Sequence, residues 1–268
     1  MHGYPSLSVI IPAYDEEMRL EATLRTTTLY FRSRQRTVEV IVVDDGSRDG
    51  TGALVHRLSA EFDEIRLIRL PVNRGKGHAV RTGIAGACGA QIMFMDADGA
   101  FPIAEIERLE AALSQGADAA IGSRFRPSEN GMIRVPWYRR LIGRVFHQLV
   151  EALAVHGYHD TQCGFKLFNS TVAHDLFSRM RINGFSFDVE LLLLARSRRY
   201  HIAEVPVSWG HKPGSRVNLP LDSWRMLREL LVIRGRILRG DYAASPTAPL
   251  GRTVPAQPDP VRPSPLTA

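Results

Sequence analysis

Cysteine is nearly absent from this chain: 268 residues carry two, Cys88 and Cys163, in no C-x-x-C pattern. That excludes a disulfide-stapled scaffold and a cysteine-ligated zinc site, and free thiols suit a reducing cytoplasm. No apolar run approaches the roughly 20 residues needed to cross a bilayer. The N-terminus runs from Met-His-Gly-Tyr-Pro-Ser straight into a short apolar stretch, without the form of a signal peptide. There is no G-x-x-x-x-G-K-[ST], which removes a P-loop. There is also no G-x-G-x-x-G after the first apolar run, which weakens a nicotinamide-dehydrogenase reading. Lysine is scarce too: Lys76, Lys166 and Lys212 stand among 34 basic residues, the rest being arginine. Where arginine is the default, a retained lysine points to a need for a compact ammonium.

What is present is an ordinary soluble composition, 44% hydrophobic and 23% charged, with a net charge of +6. The length allows one large domain or two small ones. Residues 241–268 hold seven of the 16 prolines and little that could form a core, so a disordered tail is expected there. Its charges cancel (Asp241 and Asp259 against Arg252 and Arg262), which puts the whole excess of basic charge on a folded body of residues 1–240.

That body begins as alternating strands and helices. Strands are expected at Ser8–Ile11 (ended by Pro12), Val38–Val43, Ile65–Leu70, Gln91–Met95 and Ala119–Gly122. Helices are expected at Glu16–Tyr30, Gly50–Glu61, Lys76–Cys88 and after Pro102. Short apolar strands alternating with helices of this length predict an α/β fold with a doubly wound, mostly parallel sheet. Ligands of such sheets bind past the carboxyl ends of the strands. Those ends read Pro12-Ala13-Tyr14-Asp15-Glu16, Asp44-Asp45-Gly46-Ser47, Asn73-Arg74-Gly75-Lys76-Gly77 and Asp96-Ala97-Asp98, so polar chemistry collects on one edge. Beyond residue 125 two amphipathic helices are expected. One is Trp137–Val155. The other is Leu221–Arg239, with Trp224, Leu227, Leu231 and Leu238 on one face against several arginines. Core packing is the common use of such faces, but tryptophan beside arginine also suits a bilayer interface with anionic headgroups.

Asp96 and Asp98 point to the same side of a strand end, and like charges that close call for a cation. A hard divalent ion, Mg²⁺ or Mn²⁺, with a diphosphate supplying more oxygens, meets that need; helix capping by one carboxylate is the plain alternative. Asp45 is a rigid acceptor for a uracil N–H, unless it or Ser47 merely caps a helix. Glycines around Lys76 let backbone and ammonium approach a phosphate or base. Arg124, Arg126, Lys212 and Arg216 are candidate phosphate contacts, Arg124 and Arg216 foremost, because guanidinium forks match phosphate oxygens. Asp188 and Glu190 sit at a predicted helix start. One of them is expected to touch sugar hydroxyls, with capping of the helix dipole as the alternative. Gln162 and Lys166 are candidates for the same cleft. Residues 125–138, with Gly131 and two prolines, suit a mobile acceptor loop.

Taken together, Val9–Glu16, Val42–Ser47, Asn73–Gly77 and Asp96–Asp98 resemble family 2 glycosyltransferases of the GT-A fold. Asp160-Thr161-Gln162-Cys163-Gly164-Phe165-Lys166, Phe187–Leu192, Ile202–Trp209 and Pro213–Val217 are similar to the dolichyl-phosphate β-glucosyltransferase subgroup, with polyprenyl-phosphate mannosyltransferases as near relatives. The likeness covers roughly residues 6–240. It implies a cytoplasmic-facing enzyme using UDP-glucose, a divalent metal and a polyprenyl phosphate acceptor. Pro12, Ala13, Tyr14, Glu16, Asp45, Lys76 and Ala97 match nucleotide-contacting positions, and Asp96 and Asp98 the metal motif. Gly99 and Ala100 stand where related transferases carry a glutamine, so no third protein ligand for the metal is implied. Eukaryotic members carry an N-terminal membrane anchor and this sequence shows none. Contact with the inner face of an anionic membrane is then expected to be peripheral, or made through a membrane-protein partner.

The expected reaction is inverting transfer of glucose to the lipid phosphate. Two other enzyme readings stay open: a GDP-mannose donor, and a cell-envelope polysaccharide hydroxyl as acceptor. The second would make Asp188 or Glu190 a general base. A nucleic-acid-binding role is disfavoured, since paired strand-end carboxylates repel a polyanion.

Overall fold

The computed structural model describes residues 4–124, 157–210 and 219–242. Arg126, Lys212, Arg216, the loop expected at 125–138, the helix expected at 137–155 and the tail beyond residue 242 lie outside the described residues.

Seven strands form one sheet in the order β3-β2-β1-β4-β6-β5-β7. In chain order these are β1 (Leu7–Ala13), β2 (Val38–Asp44), β3 (Ile65–Arg69), β4 (Gln91–Met95), β5 (Ala119–Ser123), β6 (Phe165–Asn169) and β7 (Ile202–Pro206). Helices α1 (Glu17–Ser33), α2 (Thr51–Glu61) and α3 (Lys76–Ala85) cross between the first four strands. A single 3₁₀ turn after Pro102 leads into α4 (Ile106–Ser114). Then follow α5 (Ser170–Arg179), α6 (Phe187–Ser197) and α7 (Leu219–Arg239). The mostly parallel α/β architecture expected from the alternation is therefore present. All pairings are parallel except those of β6, which runs antiparallel between β4 and β5.

Three local differences have physical causes. Strand β1 runs through Pro12 to Ala13 rather than stopping at Pro12. Its pairing with β4 ends at Ile10, so the missing proline N–H falls where only β2 is alongside. Strand β6 was hidden because Lys166, a fully buried residue, interrupts its apolar run. The folded body also extends past residue 240. Gly240 turns with φ +75°, and Tyr242, expected in the tail, is buried with its hydroxyl donating to Glu190 at 2.7 Å.

Both sheet faces are covered, which is why the strands read as nearly continuous apolar runs. Val9 and Ile11 pack with Leu20, Leu24, Leu54 and Leu109 on the face of α1, α2 and α4. Ile10, one residue out of phase, packs with Val80, Ile84, Leu191 and Leu230 on the face of α3, α5, α6 and α7. Phe94 anchors that second core through ring contacts with Phe168, Phe177 and Phe187, at centroid distances of 6.3, 6.2 and 5.7 Å.

Helix α7 departs from the single apolar face expected of it. It is seated by Leu230 and Ile233, both fully buried, while Trp224 (66% exposed), Leu231 (56%) and Leu238 (73%) point outward. These three are spaced by seven residues, so they form one line along the outer surface of the helix.

Candidate functional site

The carboxyl ends of β1, β2 and β4 meet the amino end of α3 at one edge of the sheet, and the loops there are stitched together. Asp15, at φ +54°, donates its N–H to Ser47 Oγ at 3.0 Å, and its carboxylate accepts the Arg48 N–H at 2.8 Å. Glu16 donates its N–H to Thr51 Oγ1 at 2.9 Å. Glu17 accepts the Gly50 N–H at 2.9 Å. Pro12 and Tyr14 are half-buried on this edge and Ala13 is buried. Asp45 lies beneath the Asn73–Lys76 turn. Its two carboxylate oxygens accept the N–H groups of Arg74 and Gly75, each at 2.8 Å. Burial raises its pKa from the ordinary aspartate value despite those bonds. Asp45 thus shapes the turn that carries Lys76. This differs from the helix capping weighed against base recognition, and the N-cap of α2 is Gly50, with no side-chain cap bond.

Lys76 opens α3 and forms an ion pair with Asp96 at 2.6 Å. Burial pulls its pKa down, but Asp96, Asp188 and Asp98 more than compensate and leave it raised, so the ammonium stays charged. Behind it, Asp188 accepts from Lys166 Nζ at 2.6 Å. Burial raises the Asp188 pKa against the pull of Lys166 and Lys76. Asp96, Lys76, Asp188 and Lys166 form a row of alternating charge. It runs inward from Asp96, with its side chain 31% exposed, to Lys166 at 0%.

Gly164 explains how Asp96 fits. Its carbonyl accepts the Asp96 N–H at 3.0 Å, and any Cβ there would fall inside the Asp96 carboxylate. The glycines around Lys76 have a structural role as well. Gly75, at φ +103°, lies against the Asn183 carbonyl. A Cβ on Gly77 would stand 2.6 Å from Phe187 Cβ and 2.8 Å from the Ile182 carbonyl. Their smallness admits the 182–187 segment, where the sequence suggested approach to a phosphate.

Asp98 is the other acid at the β4 end. One of its oxygens caps the Ala100 N–H at 3.0 Å; the other lies 4.0 Å from Arg19, which also pairs with Glu16 at 2.6 Å. Between the acids, the Ala97 carbonyl accepts from Thr23 Oγ1 at 2.8 Å. At the end of β5, Arg124 forks onto Asp160 through Nε (2.7 Å) and Nη2 (2.9 Å), and its own N–H donates to the same carboxylate at 3.0 Å. Burial pulls the Arg124 pKa down, but Asp160 outweighs it, so the guanidinium is held more firmly charged than usual. Gln162 sits half-buried in the turn between Asp160 and Gly164.

Three expectations need correction. Lys166 does not face an acceptor phosphate. It is fully buried, and its ammonium donates to the carbonyls of Thr161 (3.2 Å) and Cys163 (2.6 Å) as well as to Asp188. Glu190 does not face the cleft. It is fully buried, accepts the N–H groups of Arg181 and Ile182 at 2.9 and 2.7 Å, and accepts the Tyr242 hydroxyl. Asp188, 2% exposed, lies behind Lys76 and not in reach of an open sugar site. Both acids do begin a helix, α6, as expected. Asp160 is the site residue that sequence reasoning passed over. Its segment stood out, but nothing in a lone aspartate announced its partner 36 residues away.

Residues 8–177 match the family described as Glycosyl transferase family 2. The chain belongs to glycosyl transferase family 2. The transferase is 39% identical to the human dolichyl-phosphate beta-glucosyltransferase over 255 residues, which span 90% of this chain and 78% of the relative. It is 35% identical to the Saccharomyces cerevisiae dolichyl-phosphate beta-glucosyltransferase over 254 residues, 88% of this chain and 76% of the relative. Among solved structures, it superimposes with a TM-score of 0.65 on Mycobacterium tuberculosis glucosyl-3-phosphoglycerate synthase in complex with Mn²⁺, UDP-glucose and phosphoglyceric acid. That match is 20% identical and covers 86% of this chain and 80% of the other. It establishes the GT-A fold for the transferase.

The donor set suits a nucleotide-bound metal more than a resident one. Among the described residues no group of three or more acidic, histidine or cysteine side chains is poised to hold an ion. Asp96 is compensated by Lys76 at 2.6 Å and Asp98 more loosely by Arg19 at 4.0 Å, so a hard cation held at the β4 end would take few protein oxygens and draw the rest from a diphosphate and water.

Proposed function

We propose that the transferase moves glucose from UDP-glucose to a polyprenyl phosphate of the dolichyl type, with inversion, giving a β-glucosyl phosphate lipid. The likeness to dolichyl-phosphate beta-glucosyltransferases over nine-tenths of the chain carries this reading. The burial of Asp188 and Glu190 supports it. A hydroxyl acceptor needs a general base, and these two acids, the candidates for that role, are spent on Lys166, on backbone N–H groups and on Tyr242. A phosphomonoester, with a second pKa of about 6, arrives already ionised at pH 7.

The nucleotide would rest on the β1 and β2 ends, against Pro12, Ala13, Tyr14, Glu16 and Asp45, with Lys76, Asp96 and Ala97 along its diphosphate side. A Mg²⁺ or Mn²⁺ ion held through Asp98, with Asp96 beside it, would supply charge neutralisation for the departing UDP. Lys76 holds Asp96 in place and lowers the negative potential that two acids and a diphosphate would otherwise sum to. Arg124, locked by Asp160, would fix the acceptor phosphate behind the anomeric carbon. Gln162 lies on the same turn, and Arg126, Lys212 and Arg216 are further basic candidates for that phosphate.

The acceptor's tail is apolar, so the cleft must meet a bilayer. Among the described residues no helix is long and apolar enough to cross one. The outward line of Trp224, Leu231 and Leu238, flanked by the exposed arginines 225, 228, 234 and 239, supports peripheral docking of α7 on an anionic cytoplasmic leaflet. A membrane-protein partner is the alternative route to the bilayer.

The test is incubation of the purified protein with polyprenyl phosphate, Mg²⁺ or Mn²⁺, and labelled sugar nucleotides. UDP-glucose label is expected in the lipid phase. Label entering only from GDP-mannose replaces the donor; label on a polysaccharide and none on lipid replaces the acceptor.

A further inference from the structure

The amino end of α3 carries Lys76, yet it is not held by the sheet alone. The segment 181–186, between α5 and α6, packs directly onto it. The Asn183 carbonyl accepts the His78 N–H at 3.2 Å, and Asn183 Oδ1 accepts from Arg81 Nη2 at 2.9 Å. Arg81 Nη1 donates to the Met180 carbonyl at 2.7 Å. Gly75 and Gly77 lie so close to this strap that neither tolerates a Cβ. The outer side of the strap is held in turn by α7. Glu229 accepts the Ser186 N–H at 3.0 Å, and its carboxylate fills the space where Gly184 would carry a side chain. The Met226 carbonyl accepts from Ser186 Oγ at 3.2 Å. An unbroken chain of contacts thus runs from the mid-point of α7, through Gly184 and Asn183, to Gly75 and Lys76, and ends on Asp96.

We propose that Glu229 is a positioning residue for the donor half of the site: through the 181–186 strap it sets the seat of Lys76 and so the affinity for the nucleoside diphosphate. This rests on the reading that Lys76 serves the donor. Glu229 touches no reactant. It acts by fixing backbone that a glycine-lined contact leaves no room to shift, since packed interfaces of this kind relay displacement and do not absorb it.

The measurement is calorimetric titration of UDP into the intact protein with Mn²⁺, joined to initial rates against both substrates. Glu229→Ala should weaken UDP by about tenfold and raise the donor KM, with the acceptor KM unchanged. Glu229→Gln, whose amide oxygen still accepts the Ser186 N–H, should restore both. Ile233→Ala, which loosens α7 in the core while keeping the Glu229 carboxylate, should lower Tm at least as much and leave UDP affinity alone. If Glu229→Ala fails to fold, Gly184→Ala asks the same question by displacing the carboxylate. A lowered Tm with unchanged UDP affinity in Glu229→Ala overturns the proposal, as does equal loss of affinity in Ile233→Ala. Lys76→Met separates the two layers. If it weakens UDP while Glu229→Ala does not, the coupling alone is wrong. If Lys76→Met leaves UDP binding intact, the donor role of Lys76 falls and the coupling with it.

Discussion

At the scale of single residues, the two acids at the β4 end have different work. Asp96 is compensated by Lys76 at 2.6 Å and packed against Gly164, whereas Asp98 caps a turn with one oxygen and has the other at a looser 4.0 Å from Arg19. Asp98→Ala is therefore expected to abolish metal-dependent transfer, by two orders of magnitude or so. It should leave the far-ultraviolet circular dichroism spectrum and Tm nearly unchanged. Full activity in that variant would remove Asp98 from the metal. Lys166 has the opposite character. Lys166→Met leaves Asp188 buried without its cation and two carbonyls without a donor. Breaking a buried pair on one side costs about 3–5 kcal/mol, so chemical denaturation should show a loss of that order. The double change Lys166→Met with Asp188→Leu should recover part of it. A single variant as stable as the parent would show that the pair contributes nothing.

At the scale of elements, α7 serves two neighbours. Leu230 and Ile233 bind it to the core, and Trp224, Leu231 and Leu238 face away from it. Replacing Trp224 and Leu238 with alanine together should lower binding to anionic vesicles by about tenfold or more, since each buried apolar side chain is worth about 1.5–3 kcal/mol. Added salt should weaken parental binding by screening the arginines. Sedimentation with vesicles reads both, and an unchanged bound fraction in the double variant would exclude this face as the contact. The two sides of α7 also show what a sequence can carry. Its heptad-spaced apolar residues were visible, but which side met the core was not, because Leu230 and Ile233 are no more apolar than Leu231 and Leu238. The first five strands were legible from short, largely apolar runs that alternate with helices. Strand β6 was not, because its lysine is buried through a partner, Asp188, that is distant in sequence. The strand-end acids and Lys76 were legible as a set. The Asp160–Arg124 fork and the strap on Gly75 join segments from separate parts of the chain, and only folding reveals them.

At the scale of the whole molecule, acid should act as a denaturant with a recognisable source. Asp160, Glu39, Glu204 and Glu64 all have lowered pKa values. Burial opposes the shift in all four. It is outweighed by Arg124 at Asp160, by the Ser8 hydroxyl and Cys88 N–H at Glu39, and by His159 at Glu204; Arg32 lowers Glu64. A group whose folded pKa lies below its unfolded value gives stability that is complete above the unfolded pKa, about 4, and is lost as pH falls through the folded one. Asp45 and Asp188, raised by burial, work in the opposite sense and recover a part as they take up protons. Six carboxylates are depressed, Glu61 by Arg25 and Glu107 by the Tyr30 hydroxyl besides these four, against two raised ones. Burial also lowers His78 and His174, so Tm is expected to slip as pH falls below about 6.5 and to fall steeply below about 4. Asp160 is the most deeply placed of the four and is bonded to Arg124 three times, so it should carry a visible share of that slope. Asp160→Asn should begin with a lower Tm at neutral pH, having lost the ion pair, and then decline less between about pH 5 and 3, where it has no proton left to gain. Scanning calorimetry across that range decides it: two curves running parallel would mean that the Asp160–Arg124 fork contributes no pH-dependent stability, and that the arginine at the β5 end is held in place by something else.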